Sequence, residues 1–183
     1  MGVLFITRHG ETDFNRESRV TGSTNIDLNE KGIEQAVKAS ENLNFKFDFI
    51  ISSPLKRAIQ TAEIFSRKYD KPIIIEDRIR EIFMGLFEGM KKDFIYENHS
   101  DLWAKHKNDF DCHEHNGESI NDTVKRVYEF LDEIKIKYPN KSIFLVAHAF
   151  VTRVITSYFT CGNWDRSFEK VRLGNCEINK FEF

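Results

Sequence analysis

The sequence is poor in cysteine, has no long apolar run, and leans to neither sign of charge. Its three cysteines, Cys112, Cys161 and Cys176, are odd in number, widely spaced and without a CxxC pair. That pattern argues against a disulfide framework and fits free thiols in a reducing compartment. No apolar stretch approaches the roughly 20 residues that cross a bilayer. The apolar run near the start is too short for a signal peptide and no basic flank precedes it. A cytoplasmic location and no membrane partner are therefore expected. A net charge of -2 over 183 residues gives no global basic field, so nucleic acid is not an expected partner. Any site for an anion must be positive locally. Internal repeats, low-complexity tracts and linkers are also missing, which points to a single domain over 1–183.

What the chain does have is alternating strands and helices. Val3–Thr7 reads as a buried strand that stops at Arg8-His9-Gly10. Residues 10–30 form a long polar loop, of the kind that is usually functional. Asn29 suits the N-cap of a helix with Ile33, Ala36, Val37, Ser40 and Leu43 on its buried face. A second strand, Phe49–Ile51, runs into Ser52-Ser53-Pro54, where Ser53 suits an N-cap and Pro54 the first helical position. Ala58, Ala62 and Phe65 mark the inner face of that helix, and Ile73–Ile75 reads as a third strand. Residues 76–117 are charged, aromatic and histidine-bearing, with one helix expected around Lys92–His106. They read as a short cap insertion, about 84–117. Ser119 and Asp122 resemble a capping box before a long amphipathic helix. Ser142–Ala147 is a further strand ending at His148, followed by a helix. Val171–Leu173 and Ile178–Phe183 suggest a terminal hairpin. The expected fold is α/β, a three-layer sandwich with a mostly parallel central sheet.

In such sheets ligands bind where strands end. The first strand delivers Arg8 and His9, the second delivers Arg57 through the start of its helix, and the strand before the last helix delivers His148. Two arginines and two histidines that converge would repel one another and drive the imidazoles to the neutral form. An anion removes that penalty, and phosphate suits the two-pronged arginine donor. A neutral imidazole in line with phosphorus can form a phosphohistidine. The leaving alkoxide then needs an acid, and Glu81, expected beside Ile82 and Phe83, is the best placed.

These segments resemble the histidine phosphatase superfamily, in its phosphoglycerate mutase-like branch. Arg8-His9-Gly10-Glu11-Thr12 with Asn15 matches its opening motif, and Ser52–Ala62 its second signature. Arg80-Glu81-Ile82 with Gly85 and Glu88-Gly89 resembles the acid-bearing segment. Val146-Ala147-His148 resembles the second-histidine segment, and Asn175-Cys176 the C-terminal one. The resemblance implies a phosphoglycerate mutase-like fold, His9 as the phosphorylated nucleophile, Arg8, Arg57 and His148 as the phosphate pocket, and Glu81 as proton donor. It also implies substrate contacts from Asn15, Thr21 and Gly22, with no metal and no cofactor. The sequence departs from the family at Ala149, where glycine is usual after the second histidine, and at Val20-Thr21-Gly22, which looks slightly mutase-like.

The implied activity is hydrolysis of a small phosphorylated metabolite by a monomer or homodimer. A cofactor-dependent phosphoglycerate mutase is the alternative, and a non-catalytic phospholigand binder a third reading. The compact chain and Phe87-Glu88-Gly89 favour hydrolysis. Glu11 and Glu88 are rival acids. His113-Glu114-His115 near Cys112 reads as a solvated loop rather than a metal site, and His99 and His106 as helix-surface residues. Phe94, Tyr96, Trp103 and Phe110 either pack the cap or line a pocket. Lys91-Lys92 reads as a solvated face able to attract a second anionic group.

Overall fold

In the computed structural model, residues 1–165 and 171–183 are described. The strands are β1 (Val3–Arg8), β2 (Phe49–Ser52), β3 (Ile73–Ile75), β4 (Ser142–Ala147) and β5 (Ile178–Glu182). The helices are α1 (Asp13–Arg16), α2 (Glu30–Glu41), α3 (Lys56–Tyr69), α4 (Lys92–Asn98), α5 (Ser100–Asn108), α6 (Ile120–Lys137) and α7 (Ala149–Cys161). Two 3₁₀ turns, Asp77–Ile79 and Gly85–Phe87, precede α4.

The sheet order is β3-β2-β4-β1-β5. The first four strands are mutually parallel, and β5 runs antiparallel to β1. Alternation along each strand sorts the core into two layers. Leu4, Ile6, Ile143, Leu145 and Ala147 pack with residues of α6 and α7. Phe5, Ile50, Phe144 and Val146 pack with Ala58, Ala62 and Phe65 of α3. Both faces of the central strands are thus covered, as the continuous apolar runs require. Each fully buried aliphatic or aromatic side chain here contributes roughly 1.5–3 kcal/mol.

Topology and register together build the mouth of the sheet. Although β4 comes late in the chain, it inserts between β1 and β2. Arg8 lies opposite Ala147, and Ser52 opposite Val146. The backbone N–H of His9 donates to Ala147 O at 3.1 Å, and that of Ser53 to Val146 O at 3.1 Å. The next residue of each strand therefore emerges at one level, bringing His9, Ser53 and His148 together.

Several local expectations need correction. On α2 the buried residues are Gly32, Ala36 and Ser40, whereas Ile33 and Val37 are 48% and 41% exposed. The reason is a backbone approach: a Cβ on Gly32 would lie 2.1 Å from Glu11 O, so the helix turns its bare face to the 10–30 loop. Helix α3 starts at Lys56 with Leu55 as an N-cap lacking a side-chain bond, not at Ser53-Pro54. The Ser53 hydroxyl is engaged by His148 instead. The single helix expected over Lys92–His106 is two, broken at His99. No terminal hairpin forms: Val171–Leu173 is not a strand, and β5 pairs with β1. The Ser119–Asp122 capping box is present, with Ser119 Oγ accepting from Asp122 N and Asp122 accepting from Ser119 N.

Candidate active site

Among the described residues, Arg57 is the largest that is completely buried, at 0% exposure. Its Nη1 donates to Thr24 O at 2.8 Å and its Nη2 to Gly22 O at 2.8 Å. These bonds fold the 21–24 loop over the mouth of the sheet. The third, from Nε, reaches His9 Nε2 at 3.1 Å. His9 is 3% exposed, and its Nδ1 lies 2.7 Å from Gly10 O. A carbonyl only accepts, so Nδ1 carries the proton and Nε2 the lone pair, which is also what Arg57 Nε requires. The imidazole is thus held neutral, with Nε2 as its basic nitrogen.

Electrostatics agree with the hydrogen bonds. Burial first, then the Arg57 and Arg8 guanidinium groups, hold the His9 pKa well below the ordinary histidine value. His148, whose ring centroid is 5.2 Å from that of His9, is lowered in the same way by burial, Arg57, His9 and Arg8. Its Nε2 is 2.7 Å from Ser53 Oγ, while its buried Nδ1 has no partner within the protein. Burial also lowers Arg57 to about 10 and Arg8 in the same direction. The buried Arg8 Nε is a donor that likewise has no partner within the protein.

Glu81 is 9% exposed, at the N-terminus of α7. Its carboxylate accepts from its own neighbour, Ile82 N, at 3.2 Å and from Phe150 N at 3.3 Å. Ile82 is buried beside it, but Phe83 points outward at 41% exposure, contrary to expectation. Glu11 and Glu88 are committed elsewhere. Glu11 accepts from Lys31 Nζ and Asn29 Nδ2. Glu88 accepts from Ser23 N, Ser23 Oγ, Thr24 Oγ1 and Met84 N, tying the 21–24 loop to the acid-bearing segment.

Arg8, His9, Asn15, Thr21, Gly22, Arg57 and Glu81 all line one cleft of about 330 Å³. His148 lies fully buried behind His9. Ala149 opens α7 and lines the same cleft. It is not among the described non-glycine residues with positive φ, so its methyl group fits ordinary backbone.

Sequence reasoning named Thr61, Asn175 and Cys176 only as parts of motif segments and missed the supporting bonds they make. Thr61 Oγ1 donates to Arg57 O at 2.8 Å and accepts from Gly10 N at 3.1 Å. Its place one turn after Arg57 was the available signal. Asn175 Nδ2 donates to His9 O at 2.7 Å, and Cys176 N to Arg8 O at 2.9 Å, bracing the end of β1. His106, expected on a helix surface, is 5% exposed against His115. Tyr96 and Trp103 line the cleft, whereas Phe94 is exposed and Phe110 packs beside Phe87 and Ile95. The 112–115 segment is not wholly solvated as expected: His113 pairs with Asp122, but Cys112 and His115 are buried, the latter against Phe87 and His106; among the described residues no group of three or more His, Cys, Asp or Glu is placed to hold a metal.

Residues 4–183 match the histidine phosphatase superfamily, branch 1. An uncharacterized phosphatase, PhoE, of Bacillus subtilis is 32% identical over 184 residues, covering 100% of this chain and 89% of its own. Phosphoserine phosphatase 1 of Hydrogenobacter thermophilus is 32% identical over 161 residues, covering 85% of this chain and 74% of its own. Among solved structures, a mycobacterial glucosyl-3-phosphoglycerate phosphatase complexed with VO3 superposes with a TM-score of 0.87 at 26% identity, over 97% of this chain and 91% of its own. The chain belongs to the histidine phosphatase superfamily.

Proposed function

We propose that this histidine phosphatase hydrolyses small phosphorylated metabolites through a phosphohistidine on His9, without a metal. The observation that carries the reading is the state of the two histidines and Arg8. His9 Nε2 holds a lone pair; Arg8 Nε is a buried donor without a protein partner, and His148 Nδ1, also buried without one, donates in the tautomer whose Nε2 accepts from Ser53 Oγ. Buried polar groups are otherwise almost always bonded, and a phosphoryl group supplies the missing acceptors.

In the first step His9 Nε2 attacks phosphorus as the P–O ester bond breaks. Arg57 Nε shifts from His9 to an equatorial oxygen, joined by Arg8 and His148, and each charge-assisted bond contributes roughly 1.5–3 kcal/mol. Glu81 gives its proton to the leaving oxygen. In the second step water attacks phosphorus, Glu81 takes its proton, the P–N bond breaks and His9 regains its lone pair. Asn15, Thr21 and Gly22 contact the substrate on the far side of the phosphoryl group. The 84–117 segment acts as a cap on a single domain. One chain supplies every group named, so a monomer or a homodimer suffices, and the reducing cytoplasm suits its free thiols.

The test is a phosphomonoester panel, with isomerisation of 3-phosphoglycerate measured alongside. Turnover should survive EDTA, and an acid-labile phosphoenzyme should be trapped in the wild type and absent from His9→Ala. Label retained by His9→Ala, or loss of activity in EDTA, would sink the assignment.

A further inference from the structure

Glu81 reaches the cleft from a stretch of chain without regular structure: residues 80–84 belong to no helix or strand. The carboxylate itself is lightly held. Its bonds from Ile82 N at 3.2 Å and Phe150 N at 3.3 Å lie at or past the long end of the usual range. Phe83 is 41% exposed and anchors little. Ile79 and Ile82 are buried on either side of the acid, but such packing is non-directional and leaves the rotation of the backbone between them open.

One ion pair closes that freedom from both ends. Arg126, on α6, donates from Nε to Glu118 Oε1 at 2.6 Å and from Nη2 to Glu118 Oε2 at 2.9 Å. This is the two-pronged geometry of strong arginine–carboxylate pairs. Each partner also grips the acid-bearing segment. Arg126 Nη1 donates to Arg78 O at 2.5 Å, ahead of Glu81. Beyond Glu81, Glu118 Oε2 accepts from Phe83 N at 3.3 Å and Glu118 N donates to Phe83 O at 2.7 Å. The span from Arg78 to Phe83 is thus bridged by a single pair.

The pair stands on a rigid base. Arg126 lies in the second turn of α6, whose capping box begins at Ser119, next to Glu118. The same helix is anchored in the core by Val127, Phe130 and Leu131. At 16% and 17% exposure, the two side chains are shielded from the solvent that weakens surface ion pairs. Neither lines the cleft, so neither touches the phosphoryl group. Arg126 does reach the site through its charge. It is the last of the causes, after burial, Arg57, His9 and Arg8, that lower the His148 pKa.

Resting on the reading of Glu81 as the acid, we propose that Arg126 and Glu118 are positioning residues that act through Glu81, aiming its carboxyl group at the leaving oxygen. Lysine in place of Arg126 keeps the charge but not the planar fork that spans Glu118 and Arg78 O. Glutamine in place of Glu118 keeps the size and one acceptor, and turns an NH₂ group toward the guanidinium. Either change lets the acid drift, and a drift of about 1 Å can cost about 10²-fold in rate.

The test is a double-mutant cycle on two esters, p-nitrophenyl phosphate and the alkyl phosphate that the wild type turns over fastest. Glu118→Gln and Arg126→Lys should each lower kcat for the alkyl ester by about tenfold to about 10²-fold, with little change in KM and little effect on p-nitrophenyl phosphate. Combined with Glu81→Gln, neither should slow the alkyl ester further, because the group they position has lost its proton. A pair that only stabilises the fold would slow both esters alike. Equal losses on the two esters, or losses that add to that of Glu81→Gln, would therefore overturn the proposal. If Glu118→Gln does not fold, Arg126→Lys carries the same comparison. Should Glu81→Gln itself slow both esters alike, or no alkyl phosphate be turned over, the positioning role falls while the phosphatase reading stands. A wild type that hydrolyses neither ester defeats both.

Discussion

Replacing Arg57 by methionine removes the guanidinium while keeping an unbranched apolar stem of similar reach. The consequences can be worked from its contacts. Two of its bonds go to the loop, at Gly22 O and Thr24 O, and one to His9 Nε2. The edge formed by Nε and Nη2 faces His9, so it can offer two N–H groups to a phosphoryl group bound there. Two charge-assisted bonds at roughly 1.5–3 kcal/mol each amount to about 3–6 kcal/mol, or about 10²–10⁴-fold in kcat/KM. A second effect adds to the first at low pH. Arg57 is the leading charge, after burial, that lowers the His9 pKa. Without it the His9 pKa moves up toward its ordinary value, and the pH below which the nucleophile is lost rises with it. The assay is kcat/KM for p-nitrophenyl phosphate across pH, with the His9 imidazole followed by NMR titration. A loss smaller than about tenfold, with His9 titrating as in the wild type, would refute the assignment of Arg57 to the phosphoryl group.

Glu81→Gln keeps the shape of the side chain and removes its transferable proton. Turnover of an alkyl phosphate should fall about 10²–10⁴-fold, and that of p-nitrophenyl phosphate, whose leaving group needs no acid, much less. Equal losses would take leaving-group protonation away from Glu81. Stability should fall on acidification through the histidines. The folded pKa of His106 lies near 4 and its ordinary value near 6.5. As pH drops, the unfolded chain binds the proton first, so the contribution is fully present above about 6.5 and is lost progressively toward about 4. His9 and His148 are shifted in the same direction and add to the loss. The urea midpoint at about pH 5 should lie below that at about pH 7.5, and an unchanged midpoint would show that these imidazoles are not buried neutral. Gly22→Ala should loosen the loop. Gly22 has φ +51°, and a Cβ there would lie 2.1 Å from Glu88 Oε1. Left-handed backbone costs roughly 1–2 kcal/mol for a side-chain-bearing residue, so Tm should fall by several degrees and KM should rise. A variant with wild-type Tm and KM would show that the Glu88 tether is dispensable.

Much of the architecture was legible in the chain because it follows from local rules. Apolar runs of strand length, helical spacing on α3 and α6, and the capping box at Ser119 report directly on burial and backbone bonding. The gathering of polar groups was legible too: Arg8, His9, Arg57 and Glu81, read from strand and helix ends and from the segment before the cap, all line one cleft. The failures were tertiary. Ile33 and Val37 fit a buried stripe by spacing, but Gly32 turned α2 because two backbones meet there. Ser53 was a plausible cap until His148, 95 residues away, took its hydroxyl. His106 sat on a polar helix, and only the fold of the 84–117 segment buried it.

The sequence by itself therefore determined most of the strands and helices of the sheet layers, and that Arg8, His9 and His148 stand at strand ends. What it could not determine was their mutual placement. The order of the strands decided that, setting β4 between β1 and β2 so that His9 and His148 meet, with Arg57 closing over them. Hydrogen-bond register is a relation between distant segments, and no single segment carries it.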